Sequence, residues 1–207
     1  RNQYFAALAY GAKGFTAYTS AFFMVEPEYR YGLPYVWREL RFLEKAILSP
    51  RPETEPSIEG ADDIAVRARA AGGHVYLILV HHKPGARAVT VRWEPLMAMK
   101  RLYVMSEGRD VDVKRGTFAD HFKEGDVHIY TDDPKARDLP TIKTIADELA
   151  RRKEALAEPG NLLHWTRGTK VRSSKGFYAP WFHQFYYYAV NGITDDKGWN
   201  ACAWDKK

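Results

Sequence analysis

Tyr4-Phe5-Ala6-Ala7-Leu8-Ala9-Tyr10 is an apolar, alanine-rich run that stops at Gly11, the pattern of a short helix. Gly14-Phe15-Thr16-Ala17-Tyr18-Thr19 is aromatic and β-branched and reads as a buried strand. Pro34 then stands where a helix favours its first residue. Val36, Leu40, Leu43 and Ile47 recur at intervals of 4, 3 and 4 and give that helix one apolar face. A lone parallel-type strand between two helices leaves its backbone donors and acceptors without partners. Residues 1–50 are therefore expected to dock against protein outside this chain, and the chain is expected to be the tail of a larger protein.

The period changes after Ser49-Pro50-Arg51-Pro52-Glu53-Thr54-Glu55-Pro56, where three prolines in seven residues stop the helix and stiffen the connector. Ile64-Ala65-Val66-Arg67-Ala68-Arg69 alternates, Gly72-Gly73 turns, and His74-Val75-Tyr76-Leu77-Ile78-Leu79-Val80-His81 follows as a strand. Pro84-Gly85 turns again into Val89-Thr90-Val91-Arg92-Trp93. Further strand-like runs cover residues 101–105, 111–113 and 127–130. Six short strands with turn signals between them predict a small antiparallel sandwich. Beyond Pro134, Ile142, Ile145, Leu149 and Leu156 share a helical face until Pro159-Gly160, which predicts a linker helix. From Asn161 the texture shifts to aromatics and small polar residues, with Phe177, Trp181, the run Tyr186-Tyr187-Tyr188, and Trp199. A third module is expected to start there. The reading is a multidomain α+β chain with segments 1–50, 51–133, 134–160 and 161–207.

Composition narrows the partners. The 207 residues are 45% hydrophobic, ordinary for a globular protein, and no apolar run approaches membrane-spanning length. The 31 basic and 26 acidic residues give a net charge of +5 that is spread along the chain. Nucleic-acid binding would call for a concentrated basic stripe. The nearest candidate, Arg167, Lys170, Arg172 and Lys175, reads as a solvated face. Cys202 is the single cysteine, which excludes an internal disulfide framework and does not settle the compartment.

Two resemblances add to this reading. Leu8-Ala9-Tyr10-Gly11-Ala12-Lys13-Gly14-Phe15-Thr16-Ala17-Tyr18 resembles the seventh helix and eighth strand of the (β/α)8 barrel in β-galactosidase-like glycoside hydrolases. A small β-domain commonly follows that barrel, and its late pattern is similar to Phe118-Ala119-Asp120-His121-Phe122 running into Asp126-Val127-His128-Ile129-Tyr130. Asn161-Leu162, Val171-Arg172-Ser173-Ser174, Ala189-Val190-Asn191-Gly192 and Gly198-Trp199 resemble, in order, the opening of discoidin-like domains of the coagulation-factor type C family. That family includes many carbohydrate-binding modules. Together the resemblances imply a fold made of the last strand–helix unit of a (β/α)8 barrel, an antiparallel β-sandwich, a linker helix and the start of a discoidin-like β-sandwich with Trp199 buried. The implied function is the C-terminal portion of a carbohydrate-active glycoside hydrolase, inactive on its own, in an extracellular or periplasmic setting. Its expected partners are carbohydrate and the remainder of the parent protein. The alternative is a non-catalytic carbohydrate-binding or adhesion protein.

Candidate chemistry follows from these expectations. Glycosidases set two carboxylates across the scissile bond, and barrels present reacting groups at the C-terminal ends of strands. No acid follows the strand over 14–19 until Glu26, and Glu26 and Glu28 read as solvated loop acids around Pro27. The resemblance places the catalytic pair on strands outside this chain. Tyr18 is read either as lining a sugar subsite or as core filler, and Phe22, Phe23 and Tyr31 are candidates for the same mouth. No cofactor is required by this scheme. Discoidin-like loops often hold a structural calcium, and Asn191, Asp195 and Asp196 are the candidate ligands here. Asn191 stands where the family usually has Asp, so an ordinary turn remains the competing reading. His74, His81 and His82 resemble a metal cluster on paper, but neighbours in a strand point to opposite faces, so edge or surface positions are expected.

Overall fold

The computed structural model describes residues 1–15, 27–60 and 62–157. Tyr18, Phe22, Phe23 and Glu26, and with them most of the strand read over 14–19, lie outside the described residues, as do Asn191, Asp195, Asp196 and Trp199. The described elements run α1 (Asn2–Ala9), α2 (Pro27–Leu48), β1 (Ser57–Glu59), β2 (Ile64–Ala71), β3 (His74–His81), β4 (Arg87–Arg92), β5 (Arg101–Val104), β6 (Arg109–Asp112), β7 (Thr117–Phe122), β8 (Val127–Thr131) and α3 (Ile142–Ala157). Single 3-10 turns at Glu94–Ala98 and Pro134–Asp138 complete them.

This architecture overturns the expected barrel fragment. The eight strands form two sheets, in orders β1-β4-β7 and β2-β3-β8-β5-β6, and every pairing is antiparallel. No barrel closes, and among the described residues Gly14 and Phe15 belong to no strand. The fold is a β-sandwich. In place of the expected α+β chain with a barrel unit, the described residues are mostly antiparallel sheet with three described α-helices, and the expected discoidin-like start at 161–207 lies outside them.

The chain divides into two compact units, one made of Arg1–Thr16 and Val36–Lys143, the other of Ala17–Tyr35 and Thr144–Lys207. In the first, one core fills the space between the sheets. Val75, Leu77 and Leu79 of β3 meet Val89 and Val91 of β4, Phe118 and Phe122 of β7, Leu102 and Val104 of β5, and the fully buried Trp93. The opposite side chains of the same strands, Tyr76, Ile78 and Val80 of β3, Tyr103 of β5 and Ile129 of β8, form a second core. Phe5 and Leu8 of α1 and Leu40, Leu43, Ala46 and Ile47 of α2 cover it. Here lies the reason for the correction. The apolar faces of the helices need a partner, and the outer face of the chain's own five-stranded sheet supplies one. Strand β3 lies between β2 and β8 and is buried on both faces, which is why His74–His81 reads as a nearly unbroken apolar run.

Two further corrections concern α2. The helix starts at Pro27, seven residues before the expected start, with Pro34 inside it. Pro27 suits the first turn, and the exposed Pro34, about two turns further in, removes one backbone donor, the partner that the Arg30 carbonyl would otherwise have, without ending the helix. Glu28 consequently stands in the first turn of a helix rather than in a loop.

Arg67 fastens the helices to the sheet. It is 4% exposed. Its guanidinium donates to the carbonyls of Leu8 at 2.7 Å, Ala12 at 2.8 Å and Ile47 at 3.0 Å. The last carbonyls of a helix lack intrahelical partners and carry its negative end, so a cation there supplies both donors and charge.

Candidate functional site

In the second unit, Tyr31 lies within α2, and the Arg152 guanidinium stacks 4.6 Å from its ring centroid. Tyr31 is thus engaged in a cation–π contact within its own unit. The sequence-derived site candidates are not brought together among the described residues, since Tyr18 and Phe22 fall outside them. The three histidines also separate. His81 is fully buried, which corrects the expected edge position, because both faces of β3 are covered. Its Nδ1–H donates to the Lys123 carbonyl at 2.9 Å, and Nε2 lies 3.4 Å from Asp63 Oδ2. His74 pairs with Asp132 at 3.3 Å, and His82 sits against Tyr10. Among the described residues, no group of three or more His, Cys, Asp or Glu side chains is placed to hold a metal ion.

The structure instead assembles two polar sites that the sequence reading passed over. The first joins the sheets at one edge. Asp120 projects inward from β7 between Phe118 and Phe122, as the alternation of a strand requires. Arg109, at the start of β6, donates to Asp120 Oδ2 at 2.7 Å and to Glu107 Oε2 at 2.7 Å. The Tyr130 hydroxyl of β8 donates to the same Asp120 oxygen at 2.8 Å, and His128 bonds to Glu107 Oε1. Glu107 is held between two residues of positive φ, Ser106 and Gly108, in the β5–β6 turn. A groove of about 570 Å³ opens beside this network, lined in part by Arg109, Asp112, Lys114, Phe118 and Asp120.

Two carboxylates so close invite a catalytic reading, and their surroundings argue against it. Burial pushes the Asp120 carboxyl up, but the hydrogen bonds from Arg109 and Tyr130 outweigh it and hold the group below its usual range. Burial alone lowers the Arg109 guanidinium, and its bonds to Asp120 and Glu107 turn the net shift upward. Burial, with the Asp120 charge and hydrogen bond, pushes the Tyr130 phenol well up, so it remains a donor. A general acid must keep its proton near working pH, and Asp120 does not. The network is suited to clamping β6, β7 and β8 together.

A stability test follows from the sign of that shift. The folded pKa of Asp120 lies below its unfolded value, so its stabilisation is present above the unfolded pKa and is lost as pH falls through the folded one. Asp120→Asn is expected to cost about 2–3 kcal/mol at neutral pH, the scale of hydrogen bonds to a charged group. The gap between the two proteins should narrow below about pH 4, where an unfolded aspartate takes up its proton. Urea unfolding at pH 7 and at pH 3 measures this, and a gap independent of pH would contradict the clamp.

The second site is a pocket of about 270 Å³ where the end of α1 meets β2 and the proline-rich connector; Tyr10, Arg51, Glu55, Arg67 and Arg69 line it. Arg69 is 8% exposed, and among the described residues it bonds only to the neighbouring Ala68 carbonyl at 2.6 Å and leaves its buried Nε without a partner. Burial lowers the guanidinia of both Arg67 and Arg69. The charge of Arg51 lowers both further, while that of Glu55 partly restores Arg69. The alternation of residues 64–69 sets Arg67 and Arg69 on one face of β2. Only the helices packed over β2 bury them, and nothing local to that strand announces the helices.

Compared with protein-family models, curated proteins and solved structures, the chain matches none. No described helix is long and apolar enough to cross a membrane.

Proposed function

We propose that this chain is a non-catalytic portion of a carbohydrate-active glycoside hydrolase, contributing a β-sandwich and sugar-binding capacity while the catalytic carboxylates lie elsewhere in the protein. The observation that carries the reading concerns the segment similar to the late β-domain pattern of those enzymes. Residues 118–122 and 127–130 supply most of β7 and β8, one strand in each sheet of an antiparallel sandwich. Their inward residues build the core and the Asp120–Tyr130 clamp. Further support comes from the two best-placed carboxylates. Glu107 and Asp120 are both bound to Arg109, so neither is free to flank a glycosidic bond.

The reading has a direct test. The 207-residue chain is expected to leave activated aryl glycosides intact, while the native protein isolated from its source hydrolyses them. Turnover by the chain alone that disappears on changing Glu26 or Glu28 would overturn the proposal. A native protein that binds glycans without cleaving any would favour the adhesion reading instead.

A further inference from the structure

The arginine pocket beside α1 holds more positive charge than it has partners for. Arg67 turns its two terminal nitrogens to the helix carbonyls and leaves its own buried Nε unpartnered, and Arg51 and Arg69 have no carboxylate within 4.0 Å among the described residues. Burying an unpaired guanidinium is costly, and such a group is retained where something anionic is bound or where it caps backbone. Arg69 caps only the carbonyl before it, with a buried Nε unused, so backbone capping does not account for it. Arg51 adds a second cation at the rim. A planar guanidinium with free N–H groups matches a carboxylate through two parallel hydrogen bonds.

The pocket also has an aromatic wall. Tyr10 is 70% exposed, and its hydroxyl lies 3.3 Å from His82 Nε2, which steadies the ring at the pocket's edge. An exposed aromatic face beside charged groups is how a surface receives the apolar face of a pyranose while polar groups take its substituents. The volume of about 270 Å³ is just below that of pockets for drug-sized ligands and suits a single sugar residue.

We propose that this pocket is a subsite for a carboxylate-bearing sugar. The carboxylate pairs with Arg69 and Arg51, the ring lies on Tyr10, and Glu55 accepts a hydrogen bond from a hydroxyl. The ring component rests on the carbohydrate reading above, while the anion component stands on the arginines alone.

Titration calorimetry on the full chain with glucuronate, glucose and inorganic phosphate tests the assignment. Glucuronate is expected to bind at least about tenfold more tightly than glucose, the scale of one charge-assisted pair. Arg51→Ala and Arg69→Met should each weaken glucuronate about tenfold. Arg51 is exposed, so its variant retains the fold, and the circular dichroism of Arg69→Met is checked beside it. Tyr10→Ala should weaken glucuronate and leave phosphate unchanged. Equal binding of glucuronate and glucose, or glucuronate binding untouched in both arginine variants, overturns the subsite. Phosphate binding as tight as glucuronate, with Tyr10→Ala moving neither, overturns the sugar assignment and identifies a general oxyanion site. The aryl glycoside assay judges the glycoside hydrolase reading separately, so the two can fail independently.

Discussion

Replacing Arg67 with methionine is expected to remove about 3 kcal/mol of unfolding free energy, the scale of losing hydrogen bonds to a charged donor. Methionine fills much of the space of the arginine stem, so the loss reports the guanidinium rather than a cavity. The buried Ile47 carbonyl and the half-buried Ala12 carbonyl would lose the guanidinium donor, while Leu8 would keep only the Gly11 N–H at 2.9 Å. Each unpaired buried group costs about 1–3 kcal/mol, and partial relaxation of the helix ends keeps the total below the simple sum. Arg67→Lys should recover only part of the loss, because one ammonium cannot span carbonyls on two helix ends as a planar fork does. Chemical denaturation gives the magnitude, and hydrogen exchange gives the location. Amides of α1 should lose protection before those of β3. A methionine variant as stable as the parent would show that the helices are held by their apolar contacts alone.

That dependence on Arg67 also marks the limit of what the sequence reveals. The sandwich was legible, because Val89 and Val91 alternate with Thr90 and Arg92 as a half-buried strand requires, and turn residues separate the runs. The helical face of Val36, Leu40, Leu43 and Ile47 was legible by the same logic. Its partner was not. An apolar stripe states that something covers it and leaves the covering element open, so a barrel outside the chain and a sheet within it satisfy it equally. The informative sign was the unbroken apolarity of residues 75–80, which demands burial on both faces of β3. One face belongs to the second sheet, so the other needed a cover, which α1 and α2 supply. Strand β7 was seen only through its resemblance, since Asp120 and His121 interrupt its hydrophobic pattern. In the structure Asp120 points inward because Arg109 and Tyr130 supply its partners. Those residues come from two other strands, so local sequence carried no trace of the clamp. The arginine pocket was hidden for a similar reason. Arg67 and Arg69 fit an outward-facing strand pattern until α1 is laid over β2.

Trp93→Ala is expected to be the most damaging single change in the sandwich, at about 4–5 kcal/mol, near the top of the range for truncating a buried aromatic. Trp93 is 1% exposed in the core between the sheets, just after β4. Its indole N–H donates to the Thr54 carbonyl at 2.7 Å, so the same side chain ties the proline-rich connector to the core. Its backbone N–H donates to the Gly116 carbonyl at 3.0 Å, at the turn that leads into β7. Gly116 has φ of 74°, so the turn that this bond closes depends on glycine. Trp93→Phe separates the two contributions. Phenylalanine keeps most of the apolar volume and leaves the Thr54 carbonyl without its donor, an expected cost of about 1–3 kcal/mol. The remainder of the alanine effect then measures packing. If phenylalanine and alanine destabilise equally in urea, the hydrogen bond to the connector, rather than the filling of the core, is what makes Trp93 matter.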